Sequence, residues 1–278
     1  MPELTFSKWS SGGNTTIFLH DADAPPESQA DLARAVLDPD ILGAEQAGTV
    51  SIHGRSLRMA GGEFCVNASR AFGALLALTS PSGGALWRGE VRVSGWEGPV
   101  ELTVRGAAPR WQVAVRLTLP PKTRPEMLPG LPAGARLVRH PGISHLLLPL
   151  EGTHLPPDLT GSARALLKKA DLLGEGAAGV LWWRPEERGF AMTPVVHVRD
   201  AHTLVAENAC GSGALALALE LSARHGPGQC RLAQPSGSHL EVRVGAPAAD
   251  GRVEAHIDGP VTLIARGRVW LDWGDAEN

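Results

Sequence analysis

Short runs in which apolar and polar residues alternate, or in which β-branched residues cluster, recur along the whole chain. Such runs are typical of β-strands. Glycine, proline and serine separate them at the short intervals that hairpins and meanders require. The predicted strands cover residues 49–52, 90–93, 100–104, 112–119, 146–150, 179–183, 195–198, 240–244, 253–257 and 261–264.

Four segments have helical patterning, and they are of two kinds. Residues 26–37 and 161–173 are polar and amphipathic, as surface helices are. Residues 71–78 and 214–219 are apolar all round, so each helix must be buried on every side. A curled, mostly antiparallel sheet around each one would provide that burial. The expected fold is therefore α+β with two pseudo-symmetric halves, and the proline-rich stretch 120–125 is interpreted as the crossover between them.

Two cysteines, about half the chain length apart, lie in similar settings. Small or polar residues flank Cys65 and Cys210, and an apolar helical run begins just after each. A cysteine at a helix N-terminus is expected to have a lowered pKa, and the N–H groups there can bind a carboxylate. Gly211, Ser212 and Gly213 would let the backbone approach an anion, and Asn67 supplies an amide.

Two opposed thiols suit the inversion of an amino acid at its α-carbon. A thiolate on one face would remove the α-proton, and a thiol on the other face would return one. The alternative is that each cysteine is a small buried core residue, which is the interpretation for Cys230. No Cys-x-x-Cys or His-Glu-x-x-His motif supports a metal site, and no Gly-Lys-Ser/Thr motif supports a phosphate loop.

The composition limits the classes of partner and the cellular location that are expected. The net charge of −3 gives no reason to expect nucleic acid or an anionic membrane as a partner. No apolar run approaches the roughly 20 residues needed to span a bilayer, and the N-terminus lacks a secretory signal pattern. Three cysteines in 278 residues do not make a disulfide scaffold, so a reduced, cytoplasmic protein is expected.

Several motifs resemble those of the diaminopimelate epimerase family of pyridoxal-independent amino-acid racemases and epimerases. Residues 209–213, Ala-Cys-Gly-Ser-Gly, are similar to the family's most specific motif. Residues 65–68, Cys-Val-Asn-Ala, resemble its Cys-Gly-Asn-Gly motif. Further similarities cover residues 6–14, where an opening strand ends in a substrate-binding asparagine, residues 142–145, and residues 234–242.

The resemblance implies two domains with the active site in the cleft between them, no cofactor, and a small-molecule amino-acid substrate. The N-terminal domain would comprise residues 1–119 and 262–278, and the C-terminal domain residues 120–261. Catalysis would fall to Cys65 and Cys210. The expected substrate-binding residues are Asn14, Glu45, Val66, Asn67, Glu207, Gly211 and Ser212.

Departures from the family pattern bear on the substrate. Ser56, Ile143, Ala178 and residues 201–203 stand where diaminopimelate epimerases have groups that hold the distal charged end of the substrate. A smaller or less charged side chain is therefore expected there. Val66 replaces a family glycine, which bears on how freely the first anion pocket forms.

Two stretches, 44–48 and 59–65, resemble histidine racemases of opine-metallophore pathways. L-histidine is then the expected substrate. Glu45 would hold the imidazole, or else is a solvated loop carboxylate. The alternatives are a racemase for another amino acid, a diaminopimelate epimerase, or a non-catalytic amino-acid-binding relative. The sequence leaves the oligomeric state open, with a homodimer as one alternative.

Overall fold

A computed structural model describes residues 3–21, 26–80, 85–121, 123–150, 152 and 154–271. Within these ranges the chain forms four helices and a sheet of fifteen strands. The helices are α1 (Pro26–Leu37), α2 (Val66–Thr79), α3 (Leu159–Lys169) and α4 (Gly211–His225). The strands are β1 (Glu3–Ser11), β2 (Asn14–His20), β3 (Gln46–Ser51), β4 (Ser56–Met59), β5 (Leu86–Val93), β6 (Val100–Ala107), β7 (Arg110–Leu119), β8 (Arg136–His140), β9 (Ile143–Pro149), β10 (Ala177–Glu186), β11 (Gly189–Val198), β12 (Thr203–Ala206), β13 (Gly228–Ala233), β14 (His239–Val244) and β15 (Val253–Trp270).

Eight strands close into a barrel: the first seven of the chain and the last one, β15. Strands β1 to β7 follow one another in the sheet, β7 pairs with β15, and β15 pairs back with β1. Strand β7 shows why the barrel forms: its residues alternate, with Trp111, Val113 and Val115 buried and the residues between them facing outward. The inward side chains pack around α2, which contacts six of the eight strands.

The remaining strands continue from β15 through β14, β13, β11, β10 and β9 to β8, with β12 on the side of β11. This sheet packs against α4, which contacts β8, β9, β13, β14 and β15. Helices α1 and α3 pack against β3 and β10 respectively. Most strand pairs are antiparallel, and β2–β3, β4–β5, β9–β10 and β11–β13 are parallel. The predicted α+β class is confirmed.

The predicted apolar helices form, and both are longer than their apolar runs. Helix α2 is buried from Val66 to Leu76, and α4 from Gly211 to Leu221. Each begins several residues before the apolar run because a cysteine caps it. Helix α3 ends earlier than residue 173, since the chain leaves the helix at Asp171, which has a positive φ. Among the described residues, no helix is long and apolar enough to cross a membrane.

Two connections join the barrel to the second sheet. Residues 120–135, in the part described, form no helix or strand, as the prolines predicted. Strand β15 is the other connection: it pairs with β14 near Ile257, with β7 from Val253 to Thr262, and with β1 from Thr262 to Trp270. Residues 272–278, assigned above to the N-terminal domain, lie outside the described residues.

Candidate active site

Cys65 and Cys210 are the N-cap residues of the two buried helices. Each has extended backbone angles, and its sulfur accepts a hydrogen bond from the N–H of the third residue onward. The distances are 3.3 Å from Ala68 N to Cys65 Sγ and 3.4 Å from Gly213 N to Cys210 Sγ. A cap of this kind satisfies one of the N–H groups that a helix start leaves unpaired. The thiols therefore lie at the helix starts, as the sequence indicated.

The starts of α2 and α4 touch each other. The side-chain amide of Asn67 donates to the carbonyl oxygen of Ala209 at 2.9 Å. Gly211 lies so close to α2 that a Cβ there would be 2.7 Å from Val66 Cγ1 and 2.8 Å from Val66 Cβ. Ser11 Oγ donates to the carbonyl oxygen of Asn67 at 2.8 Å. The absence of a side chain at Gly211 thus lets the two helix ends, and their thiols, approach one cavity.

That cavity brings together most of the expected site residues. Its wall includes both cysteines and Glu45, Val66, Asn67, Glu207, Gly211 and Ser212. Asn14 lies behind the wall, fully buried, and its Nδ2 donates to Glu45 Oε2 at 2.9 Å. Three of the positions at which diaminopimelate epimerases hold the distal end of their substrate also line the cavity: Ile143, Ala201 and Thr203. Of the other three, Ala178 is buried in the hydrophobic core, Ser56 lies on β4, and His202 lies in the turn before β12.

Gln46 links the two thiol sites, and sequence reasoning missed it. Its Oε1 accepts from the Cys65 thiol at 3.1 Å, and its Nε2 donates to Glu207 Oε1 at 2.9 Å. The carboxyl group of Glu207 in turn lies close enough to the Cys210 thiol to raise its pKa. The only sequence signal was its place beside Glu45 in the stretch 44–48. A line of side chains thus runs from Cys65 through Gln46 and Glu207 to Cys210.

Burial controls the ionisation of the thiols and of Glu207. It raises the pKa of Cys65 to about 12 and that of Cys210 well above its ordinary value, and the nearby Glu207 carboxylate raises both further. The expectation of lowered cysteine pKa values is therefore wrong for this structure: the loss of water outweighs the capping N–H groups. Burial also raises the pKa of Glu207 to about 7, and the charge of Glu45 adds to the effect.

Two buried histidines contact Ser212, which lies beside Cys210. Ser212 Oγ lies 3.5 Å from Cys210 Sγ and shares a 2.9 Å hydrogen bond with His145 Nε2. His140 Nε2 lies 3.3 Å from the carbonyl oxygen of Ser212. Burial lowers the pKa of His140 to about 4 and that of His145 well below its usual value, so both rings are neutral at neutral pH. No role was predicted for His140, because its hydrogen-bond partner, Ser212, lies on a distant helix.

Within the described residues, no group of three or more histidine, cysteine, aspartate or glutamate side chains is placed to hold a metal ion. What the cavity offers is a pair of capped thiols, a carboxyl group that titrates near neutral pH, and two helix N-termini. The helix ends favour an anion such as a carboxylate. The carboxyl groups Glu45, Glu63 and Glu207 favour a cation or an N–H donor. A zwitterionic ligand matches this arrangement.

Comparisons with known proteins agree with that description. A histidine racemase from Fusobacterium nucleatum is 27% identical over 270 residues, covering 96% of this chain and 97% of the relative. The fold is similar to a hydroxyproline epimerase from Agrobacterium vitis, with a TM-score of 0.64 at 12% identity, covering 97% of this chain and 93% of the other. A probable proline racemase from Agrobacterium radiobacter gives a TM-score of 0.65 at 14% identity, covering 98% and 94%.

The sequence model of one family, described as the histidine racemase CntK N-terminal domain, matches residues 3–270. That range contains the whole barrel, the second sheet and every residue of the cavity wall. The chain therefore belongs to the histidine racemase CntK family, and it is an isomerase of the amino-acid racemase class.

Proposed function

We propose that this protein interconverts L- and D-histidine without a cofactor, with Cys65 and Cys210 as the two acid–base groups. The observation that carries the proposal is that both thiols cap buried helices whose N-termini touch at one cavity. Membership of the histidine racemase family supports histidine as the substrate. As the sequence resemblance implies, the D-histidine would serve metallophore biosynthesis.

The helix ends would hold the substrate carboxylate. The first N–H groups of α2 and α4 have no partner within their helices, and both helix dipoles point their positive ends at the cavity. As the α-proton leaves, negative charge develops on the α-carbon and spreads to the carboxylate. Donors already fixed at Asn67, Gly211 and Ser212 would stabilise that charge without rearranging. This is the role we assign to these three residues.

The substrate ammonium group would lie near Glu207 and Asn14. The Oδ1 atom of Asn14 is buried and has no hydrogen-bond partner among the described residues. A cation near the thiols favours their charged form, which counters the effect of burial. Glu207 would be the acceptor for the Cys210 proton, since its carboxyl group lines the same cavity and lies close enough to that thiol to shift its pKa. Cys210 and Cys65 would then remove and return the α-proton on opposite faces.

We further propose that the fold has the two pseudo-symmetric halves of the diaminopimelate epimerases, divided into 1–119 with 262–278, and 120–261. In support, each buried helix begins at a capping cysteine and packs against strands of its own half. The pairing of β15 with β1 beyond Thr262 supports the return of the chain to the first half. The cytoplasmic location and the homodimer stay predictions.

The substrate assignment is tested by exchange of the α-hydrogen with deuterium from solvent. The wild-type protein should exchange L-histidine and turn it over to the D-enantiomer, followed by chiral chromatography. LL-diaminopimelate should be a poor substrate, because Ile143 and Ala201 in the cavity wall offer no partner for a second charged centre. A higher kcat/KM for diaminopimelate than for histidine would overturn the histidine assignment and leave the racemase class standing.

Contact between the helix ends predicts a strong effect of Gly211→Ala. The added Cβ would lie 2.8 Å from Val66 Cβ, which no rotation of the valine side chain can relieve. The helix starts must therefore separate, and we expect kcat/KM to fall about 100-fold, as a displacement near 1 Å of reacting groups does. Adding Val66→Gly removes the opposing atoms and should restore most of the activity. Full activity of Gly211→Ala alone would contradict the close approach.

A further inference from the structure

One carboxyl oxygen in the cavity wall has no partner. Among the described residues, Glu63 Oε2 is the carboxylate oxygen that is buried and makes no hydrogen bond. The backbone N–H groups of Gly61 and Glu63 interact with the carboxyl group. A buried acceptor without a partner destabilises a fold, so one kept at a cavity calls for an explanation. A ligand that donates a hydrogen bond to it would provide one.

Two other polar side chains of the wall, Glu45 and Gln46, are already paired. Both oxygens of Glu45 accept hydrogen bonds, from Asn14 Nδ2 at 2.9 Å and Asn208 Nδ2 at 2.6 Å. Gln46 uses its oxygen for the Cys65 thiol and its nitrogen for Glu207. One oxygen of Glu207, Oε1, is engaged in this way. Of these carboxyl groups, Glu63 is the one with a buried oxygen that has no hydrogen-bond partner among the described residues.

Glu63 is held rigidly beside the first thiol. It precedes Cys65 by two residues, and its carbonyl oxygen accepts from Ser94 Oγ at 2.9 Å. The next residue, Phe64, packs on Trp96 with ring centroids 4.7 Å apart. Gly61 makes room for the carboxyl group, because a Cβ there would lie 2.8 Å from Glu63 Oε2 and 2.5 Å from Val198 Cγ1. The carboxyl group is therefore fixed in place before any ligand binds.

Part of the cavity wall is apolar. Ala60, Val196, Val198 and Ala201 line the same cavity. A flat ring of carbon and nitrogen atoms would pack its faces against these side chains, while a ring N–H would need an acceptor at the same depth. Leucine or methionine would leave the Glu63 oxygen unpaired. The combination of these apolar side chains and the unpaired Glu63 oxygen fits imidazole.

We infer that Glu63, rather than Glu45, recognises the substrate side chain, by accepting a hydrogen bond at Oε2 from an N–H of the imidazole ring. This inference rests on the histidine specificity proposed above. Glu45 then has a different role: it holds Asn14 and Asn208 in place. Burial raises the pKa of Glu63 to about 7, near the ordinary imidazole value of about 6.5. The ring and the carboxyl group can therefore share one proton at neutral pH.

The test measures binding without chemistry, in full-length protein carrying Cys65→Ala and Cys210→Ala. Calorimetry gives Kd for L-histidine and for L-2-thienylalanine, whose five-membered ring has a similar shape but no N–H. Adding Glu63→Gln, which keeps an acceptor oxygen but removes the charge, should weaken histidine binding by about 10-fold, because a hydrogen bond to a charged group becomes a neutral one. Thienylalanine binding should change less than about twofold, because it makes no such bond.

The matched control is Glu187→Gln, at the exposed turn at the far end of the β10–β11 hairpin, which should leave both constants unchanged. Glu63→Leu, which removes the acceptor entirely, should reproduce the selective loss. Equal weakening of both ligands, no change in either, or no histidine binding before Glu63 is altered would each overturn the inference. Binding with this selectivity but no α-hydrogen exchange in the wild-type protein would count against the two-thiol reaction alone.

Discussion

Replacing either Cys65 or Cys210 with alanine should lower kcat/KM for histidine racemisation by about 10,000-fold, the upper range for loss of a general acid or base. Each thiol serves one face of the α-carbon, so a single loss stops inversion in both directions. The double variant should be scarcely worse than either single variant, because the two groups act as one unit. Chiral chromatography on purified, folded protein measures all three.

Exchange of the α-hydrogen without inversion tests the role of each thiol separately in the same variants. The thiol that remains can still remove an α-proton and return a deuteron to the same face. Residual exchange should therefore be confined to one enantiomer, and to opposite enantiomers in Cys65→Ala and Cys210→Ala. The result would also show which thiol faces the hydrogen of L-histidine. Exchange of both enantiomers by either variant would contradict the assignment of one thiol to each face.

Cys230→Ala is the control for these substitutions. Cys230 lies on β13, pairs in register with Val242, and is not part of the cavity wall. It packs against the hydrophobic core as a small apolar residue. Its loss should leave the racemase rate close to the wild-type value and lower the thermal midpoint slightly. A large loss of activity in this variant would indicate that thiol chemistry is not confined to the two helix caps.

The helix starts were predictable from sequence because the signals are local. Apolar runs on all sides required burial, and a cysteine before each run predicted a cap. The same signals placed Asn67 and Gly211 at the helix ends. The two helix ends were also expected to face each other across a cleft, because two opposed thiols must reach one α-carbon; that the ends touch was not predicted. These inferences needed no knowledge of distant packing.

Gln46 and His145 show where sequence reasoning ends. Gln46 acts on partners that lie 19 and 161 positions away along the chain. His145 reaches Ser212 across 67 positions. The residues next to a single glutamine or histidine in the sequence do not indicate which distant residues its side chain contacts. The expectation of lowered cysteine pKa values was wrong for a related reason. The helix end is a local feature, whereas burial among carboxyl groups depends on the whole fold.

Glu207 should set the pH dependence of the reaction. Its pKa is raised to about 7, chiefly by burial, so below that pH the group is neutral and cannot take the proton of Cys210. Activity should therefore rise with pH through about 7 in the wild-type protein. Glu207→Gln keeps an oxygen for Gln46 but cannot accept the thiol proton. We expect kcat to fall by about 100- to 1000-fold. The remaining rate should no longer rise with pH through about 7, the acidic limb of the wild-type profile.

Glu63→Gln is the companion variant, because burial also raises the pKa of Glu63 to about 7. It should lose histidine affinity yet keep the rise of kcat with pH, since Glu207, and not Glu63, is the carboxyl group that acts on the Cys210 thiol. If the rise disappears with Glu63→Gln and persists with Glu207→Gln, the proton acceptor has been assigned to the wrong carboxyl group. Steady-state kinetics between pH 5.5 and 8.5 would distinguish the two.

Unfolding gives an independent measure of the Glu207 pKa. Between its ordinary value of 4.5 and its folded value of about 7, the folded protein keeps a proton that the unfolded chain has lost. The contribution of Glu207 to stability is therefore present at low pH and is lost as the pH rises through that window. Glutamine does not titrate, so Glu207→Gln should gain up to roughly 3 kcal/mol relative to wild type between pH 4.5 and 8. Urea unfolding of both proteins at pH 4.5 and pH 8 measures the difference in their free energies of unfolding. If that difference does not change with pH, Glu207 is charged throughout and cannot account for the acidic limb.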